Sequence, residues 1–497
     1  MKQESGALLS AIKLDRESRR SISVQLYMAL REIILSGGLR AGERLPATRV
    51  LAKETGVSRT TVIDAVDRLV SEGMVVSRIG AGTFVSDTLD SQRPAASAMV
   101  DPAPQDAKPR LSGTIASGEE RYARRTWLPH EARAFITALP ALDAFPMAHW
   151  ARLSARHFRG GRGAVMGYGQ PKGLEALRRA IATHLGALKG IRCNPEQIFV
   201  TCGAQQAFSL IGKLFLNGGD KVWIENPGAS GARNALLSEG ADLVPVDIDH
   251  EGIVVADGLA KAPGFRLAFV TPSHQQPLGH VMSLQRRFEL LQAVEAAQAL
   301  IIEDDYDGEF YYGNAPQPAL YSTDPAGRTI YVGTFSKTLF PSLRLGFLLV
   351  PERMVDAFER MFQSWASGPA TATQAVVADF MDEGHFATHV RLMRRLYKAR
   401  YDALMEAGRT LPDTMRLQET SSGFHTLADL ASGIDEQAVV TQAAEKGVIV
   451  APLSRYCMQP IERNGLVIGF GSAAPEDIKR GIDVLRDLPA LRENWSG

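Results

Sequence analysis

The chain has 497 residues, 45% of them hydrophobic and 22% charged, with 55 basic side chains against 55 acidic ones. That length exceeds what one hydrophobic core supports, so two or three domains are expected, and overall neutrality excludes a generally polycationic nucleic-acid binder while leaving room for one binding domain. Three scattered cysteines, Cys193, Cys202 and Cys457, with no CxxC spacing, argue against a disulfide framework or a zinc site and suit a reducing cytoplasm. The polar amino terminus does not read as a signal peptide, and no apolar run reaches the roughly 20 residues that span a bilayer.

From Ile22 the apolar residues Leu26, Leu30, Ile33 and Ile34 recur at helical spacing until Gly37-Gly38. A second short helix is expected from Arg49 to Glu54, with Thr48 as its N-cap and Gly56 as its stop. Ser58 then caps a third helix with Val62, Ala65, Val66, Leu69 and Val70 on one face, ended by Gly73. Residues 74–77 and 83–85 read as a two-stranded wing around Arg78-Ile-Gly-Ala-Gly82. This is a winged helix-turn-helix plan. It presents Arg59, Thr60 and Thr61 at the end of a helix that reaches base edges, with Arg49 placed for phosphate and Gly82 allowing close approach to the sugar-phosphate chain. An amphipathic three-helix bundle that binds protein is the alternative. Residues 1–87 hold 13 basic and 10 acidic side chains, so the pattern decides rather than the charge.

Residues 88–128 lose apolar periodicity and are rich in proline, alanine and polar residues, as in Asp101-Pro-Ala-Pro-Gln-Asp-Ala-Lys-Pro109; a tether between residues 1–87 and 129–497 is expected. From about Leu128 apolar strands alternate with helical segments, the signature of an α/β domain with a mainly parallel sheet, here with a smaller C-terminal α/β subdomain. Ligands of such sheets bind at the carboxyl ends of the strands. Three such ends carry chemistry. Gly203-Ala204-Gln205 opens a helix whose backbone N–H groups can cradle an anion. Asp304 and Tyr306 share a strand face, suited to a pyridinium nitrogen and a phenolic oxygen, although a cap or a surface carboxylate would also explain Asp304 alone. Thr334-Phe-Ser336-Lys337, with Arg344 seven residues on, surrounds a lysine with hydroxyls and a guanidinium. That is what a Schiff base to pyridoxal 5′-phosphate (PLP) and its phosphate require.

The wording Leu39-Arg-Ala-Gly-Glu-Arg-Leu-Pro46, Gly56-Val-Ser-Arg-Thr-Thr-Val62 and Gly80-Ala-Gly-Thr-Phe-Val85 resembles the reader head of the GntR family of bacterial regulators. Gly203-Ala-Gln, Pro272-Ser-His-Gln275, Glu303-Asp-Asp-Tyr-Asp-Gly-Glu-Phe310 and Ser336-Lys337 resemble fold-type I aminotransferases. The two together look like the MocR subgroup, in which that fold follows a GntR head. The resemblance implies DNA contacts at Arg49, Ser58, Arg59, Thr60 and Gly82. It also implies an aldimine at Lys337, a pyridine partner in Asp304, and phosphate ligands in Gly203, Ala204, Gln205, Ser336 and Arg344, with His274 and Tyr306 completing the cofactor set. A homodimer on operator DNA is likewise a family expectation.

Three departures stand out. Ala229 replaces a tyrosine that stacks on the cofactor, and Gln276 and Leu278 replace an aromatic and a threonine. Val467 stands where aminotransferases place an arginine for the substrate carboxylate, a strong bidentate contact, with Arg233 and Arg463 as conceivable substitutes. The expectation is a transcriptional regulator that senses an amine or PLP itself. The alternatives are a PLP-dependent aminotransferase with an accessory head, and a cofactor-free dimerisation scaffold.

Overall fold

The computed structural model describes residues 12–78, 80–87, 122–123, 133–160, 162–313, 318–364 and 368–492. The chain divides into two compact units, Met1–Arg110 and Leu111–Gly497. Apart from residues 122–123, the stretch 88–128 read as a tether lies outside the described residues.

The first unit contains α1 (Ile22–Leu35), α2 (Thr48–Thr55), α3 (Arg59–Ser71), β1 (Val75–Arg78) and β2 (Gly82–Val85). Leu26, Leu30 and Ile34 of α1 and Val62, Ala65, Val66 and Leu69 of α3 are buried with Leu51 of α2, the stripes a 3.6-residue period makes. Val70, expected on the same face, is exposed, because at 100° per residue it lies about 80° away from Val62. Ser58 caps α3, its side chain accepting the Thr61 N–H. Thr48 is not the cap of α2 but its first residue, following Ala47, whereas Gly56 ends the helix at φ +67° as expected. β1 and β2 form an antiparallel hairpin in which Val75 faces Val85 and Arg78 faces Gly82.

The second unit is built on an eight-stranded sheet in the order β3-β10-β9-β8-β7-β4-β5-β6, comprising β3 (Ile198–Thr201), β4 (Lys221–Asn226), β5 (Asp242–Asp249), β6 (Gly252–Ile253), β7 (Leu267–Val270), β8 (Leu300–Asp305), β9 (Thr329–Thr334) and β10 (Gly346–Leu349). Strands β9, β8, β7, β4 and β5 run parallel, and β10 lies antiparallel between β9 and β3. The strands are apolar on both faces because helices cover both. Phe199, Ile302, Ile330 and Val332 pack into one core, and Ile198, Val200 and Tyr331 into another. A smaller antiparallel sheet, β11-β12-β14-β13, joins β11 (Met415–Leu417), β12 (His425–Leu430), β13 (Ala451–Pro452) and β14 (Gly465–Gly469). Being parallel or doubly antiparallel to one another, β3, β4, β8 and β9 all end on the same side of the large sheet, where loops carry the chemistry.

Candidate cofactor and effector site

Those strand ends enclose a cavity of about 430 Å³, lined among others by Gly203, Ala204, Gln205, Asp304, Tyr306, Ser336, Lys337 and Arg344. Residues separated by more than a hundred positions in the chain are thus brought together at one place. His274 is the exception among the expected cofactor residues. It stands behind the wall, fully buried, with Nδ1 at 2.9 Å from Asp307 Oδ2 and 3.1 Å from the Tyr306 hydroxyl.

Strand β9 delivers Lys337 through a four-residue helix, Phe335–Thr338, capped by Thr334, whose hydroxyl accepts the Ser336 N–H. The Lys337 Nζ donates to the Ala138 carbonyl at 2.6 Å. Enclosure by protein lowers its pKa from the ordinary lysine range to about 8, against the opposing pull of Asp307 and Asp304. Asp304, at the end of β8, is buried, and its Oδ1 has no hydrogen-bond partner. Burial first, then the neighbouring carboxylates Asp305, Asp307 and Glu225, push its pKa well above the usual carboxylate range, with Lys337 opposing. A buried carboxyl oxygen without a donor, on the wall of a cavity, is a place for a cationic N–H.

The opposite end of the cavity suits an anion. Gly203 takes φ +89° as the N-cap of helix Ala204–Phe215, turning the first N–H groups of that helix toward the cavity. The turn rests on β10 so closely that a Cβ on Gly346 would lie 3.0 Å from the Gly203 Cα. Arg344 lines the same end and holds φ +50°, an uncommon conformation for a side chain of its size, and Ala138, partner of Lys337, holds φ +67°.

The remaining wall differs from that of an amino-acid-binding site. Val467 of β14 and Ala229 line it and are buried, and the half-buried Gln276 lines it as well. Neither proposed substitute arginine reaches it. Arg463 is bidentate to Asp429 at 2.7 and 3.1 Å, and an Arg233 Nη1–H donates to the Cys457 carbonyl at 3.2 Å. Among the described residues the only cations lining the cavity are Lys337 and Arg344. Sequence reasoning did not single out Ala138, His425 or Tyr456, which also line it. Ala138 and Tyr456 sit in segments without a motif, and His425 sits within a strand whose other residues are plainly core.

In the first unit Arg49, Ser58, Arg59 and Thr60 are exposed, and Thr61 and Gly82 half-buried. The Arg59 Nε lies 3.4 Å from the Thr48 hydroxyl, tying the starts of α2 and α3 together. Ser58 and Thr61 bond each other through their hydroxyls at 2.8 Å. Gly82 has φ +117°, and a Cβ there would come within 2.6 Å of the Arg44 guanidinium, which places an unassigned arginine at the wing.

Residues 140–467 match the family "Aminotransferase class I and II", and residues 22–85 match "Bacterial regulatory proteins, gntR family". The probable rhizopine catabolism regulatory protein MocR of Rhizobium meliloti is 40% identical over 95% of this chain and 94% of its own. The chain belongs to the MocR-type regulators, a GntR helix-turn-helix head joined to an aminotransferase-like domain. The pyridoxine biosynthesis transcriptional regulator PdxR of Corynebacterium glutamicum is 29% identical over 97% of this chain and 98% of its own. The large unit is similar to the α-aminoadipate aminotransferase LysN of Thermus thermophilus, solved with N-(5′-phosphopyridoxyl)-L-leucine, with TM-score 0.66 and 27% identity over 76% of this chain and 94% of that one. This MocR-type chain is therefore a DNA-binding transcriptional regulator, and its large unit has the fold of PLP-dependent aminotransferases. Among the described residues no helix is long and apolar enough to cross a membrane.

Proposed function

We propose that the large unit holds PLP at Lys337 and that a primary amine, or PLP itself, is the signal that sets the grip of the head on operator DNA. The observation that carries this reading is the pairing, across one cavity, of the unpartnered Asp304 oxygen with a lysine whose pKa is lowered to about 8. The donor set fits the cofactor. Asp304 would face the ring nitrogen and Tyr306 the phenolic oxygen. Ser336, Arg344 and the N–H groups of Ala204 and Gln205 would hold the phosphate. When bound, PLP supplies an electrophilic carbon that a primary amine can compete for with Lys337. The chain's part is to keep about a tenth of the Lys337 amine deprotonated at pH 7, far more than an ordinary lysine, to neutralise the phosphate, and to present a hydrogen-bond acceptor to the ring nitrogen.

The missing cation at Val467 favours regulation over amino-acid transamination, since among the described residues no cation on that wall would pair with a substrate carboxylate. The relatives' names, one for rhizopine catabolism and one for pyridoxine biosynthesis, support a small-molecule signal and a B6 signal respectively. A homodimer would let two heads read two half-sites; the exposed apolar side chains Met147, Phe158 and Met166 and the exposed Tyr168 are consistent with a second copy covering that face. An amine or PLP shifts operator affinity only if it binds one arrangement of the protein better than another.

The test is absorbance of the full chain with PLP, followed by borohydride reduction and peptide mapping. A phosphopyridoxyl group on Lys337, with operator affinity that depends on PLP or amine, supports the proposal. A chain that stays colourless in excess PLP leaves the scaffold reading, and sustained keto-acid production from an amino donor would make it an enzyme.

A further inference from the structure

Behind the cavity wall a histidine and a carboxylate are locked together against Tyr306. His274 and Asp307 are each 1% exposed, with Nδ1 at 2.9 Å from Oδ2 and 3.2 Å from Oδ1. The chain at Gly423 lies so close upon them that a Cβ there would fall 2.2 Å from the His274 Cε1 and 2.6 Å from the Asp307 Oδ2. The ring therefore has no room to swing. A carboxylate only accepts, so the hydrogen between the two sits on Nδ1.

The same nitrogen is 3.1 Å from the Tyr306 hydroxyl. With its hydrogen in place Nδ1 has no lone pair to offer, so at this contact the tyrosine oxygen can accept but cannot donate. Among the described residues the hydroxyl has no second partner. Burial first, then the charges of Asp307, Asp304 and Glu225 and the Tyr456 hydroxyl, hold its pKa well above the ordinary phenol range, so the proton stays on. A buried O–H with nothing to receive its hydrogen is unsatisfied. Tyr306 lines the cavity, and a bound molecule can bring the acceptor there.

We propose that the His274–Asp307 pair positions Tyr306: by keeping a hydrogen on Nδ1 it denies the tyrosine an acceptor behind the wall and commits the hydroxyl as a donor into the cavity, to the phenolic oxygen of a bound B6 cofactor. This rests on the reading that PLP occupies the Lys337 cavity. His274 is then a positioning residue that acts through Tyr306 and touches no ligand.

The experiment follows cofactor absorbance of the PLP-loaded full chain against pH. A donor at the phenolic oxygen favours the proton-poor form of the chromophore. Tyr306→Phe should therefore raise the midpoint by about one to two pH units, the size of one hydrogen bond to a charged oxygen. In Asp307→Leu the imidazole hydrogen is free to move to Nε2, 3.4 Å from the Thr420 hydroxyl oxygen. Nδ1 then becomes an acceptor that draws the Tyr306 proton out of the cavity, and the midpoint should rise most of the way to that of Tyr306→Phe. Charge alone predicts the reverse. Asp307 pulls the Lys337 pKa upward, so loss of the carboxylate by itself would lower the midpoint. Asp307→Asn keeps an oxygen for the Nδ1 hydrogen and should not raise it. A fall or no change in Asp307→Leu, or a rise in Asp307→Asn equal to that of Tyr306→Phe, would overturn the proposal. If Asp307→Leu fails to fold, nitrogen-15 NMR of the histidine-labelled wild type decides, with the His274 signals assigned by their loss in His274→Asn. A hydrogen on Nδ1 is expected, and a bare Nδ1 overturns the proposal. A wild-type chain with no PLP absorbance overturns the cofactor reading and this one together, whereas bound PLP with no rise in Asp307→Leu overturns this one alone.

Discussion

The reader head and the cavity of the large unit carry their chemistry in opposite ways. In the head, Arg49, Arg59 and Thr60 are exposed, and they meet on two short helices separated by a single turn. In the cavity, Asp304 and Tyr306 are buried and Lys337 partly so. They arrive from distant strands, and their protonation is displaced by burial and by neighbouring charges. A surface that must meet a polyanion needs charges that stay solvated until contact. A pocket that must hold one small electrophile needs charges already stripped of water and balanced against one another. The two regions should therefore be separable by mutation.

The largest expected effect is that of Lys337→Ala, which should abolish borohydride-trapped PLP and any response of operator binding to amines, leaving the signal-free affinity for operator unchanged. The converse is Arg59→Ala, which should weaken operator binding by about 1–3 kcal/mol, roughly 5- to 150-fold, if the residue reads a base edge, while cofactor absorbance stays as in the wild type. Operator titrations and absorbance spectra on both variants check the pair. If Lys337→Ala alone destroys basal operator binding, the cavity is structural support for the head and not its sensor.

The two regions were also unequally legible in the sequence. The head could be read nearly residue by residue, because its period-3.6 stripes, its Ser58 cap and its left-handed Gly56 are local events within a few residues of each other. Its errors were of the same local kind: Thr48 one position out as a cap, and Val70 at the rim of a stripe. Lys337, Asp304 and Arg344 were found because strand-end positions carry recognisable types. The remainder of the cavity was not legible, because it depends on which distant loops close over it. Nothing near Ala138 announces that its carbonyl will take the Lys337 hydrogen bond. His425 reads as one residue of a core strand until β14 is placed beside it. Conversely, His274 looked like a cavity residue by its motif, yet its ring stands behind Tyr306, bonded to Asp307.

Two intermediate effects sharpen the cavity side. Val467→Arg restores a cation to the wall, and a bidentate contact of roughly 1.5–3 kcal/mol should raise affinity for ω-amino acids by about 10- to 150-fold over the wild type. No gain would show that carboxylates are excluded by something other than the missing charge. The second is a pH profile. With its pKa near 8, Lys337 is about one-tenth neutral at pH 7, whereas an ordinary lysine would be about one part in 3,000 neutral. Only the neutral amine is a nucleophile, so the rate of PLP capture should rise about tenfold from pH 6 to 7 and flatten above about pH 8.5. A rate still climbing tenfold per unit at pH 9.5 would place Lys337 in water.

The smallest effect concerns the head, and it separates two roles that sequence alone had merged. The family resemblance implies a DNA contact at Ser58, but its Oγ already accepts the Thr61 N–H at 3.1 Å and pairs with the Thr61 hydroxyl at 2.8 Å. Ser58→Ala should therefore cost the head about 1 kcal/mol of stability, the usual worth of a serine cap, and lower its melting midpoint. Ser58→Asp keeps the capping acceptor but adds a negative charge. If Ser58 serves only as a cap well away from phosphate, the aspartate variant should bind operator like the wild type. If it also touches DNA, that variant should be as stable as the wild type and weaker on operator, more so at low salt, where phosphate repulsion is least screened.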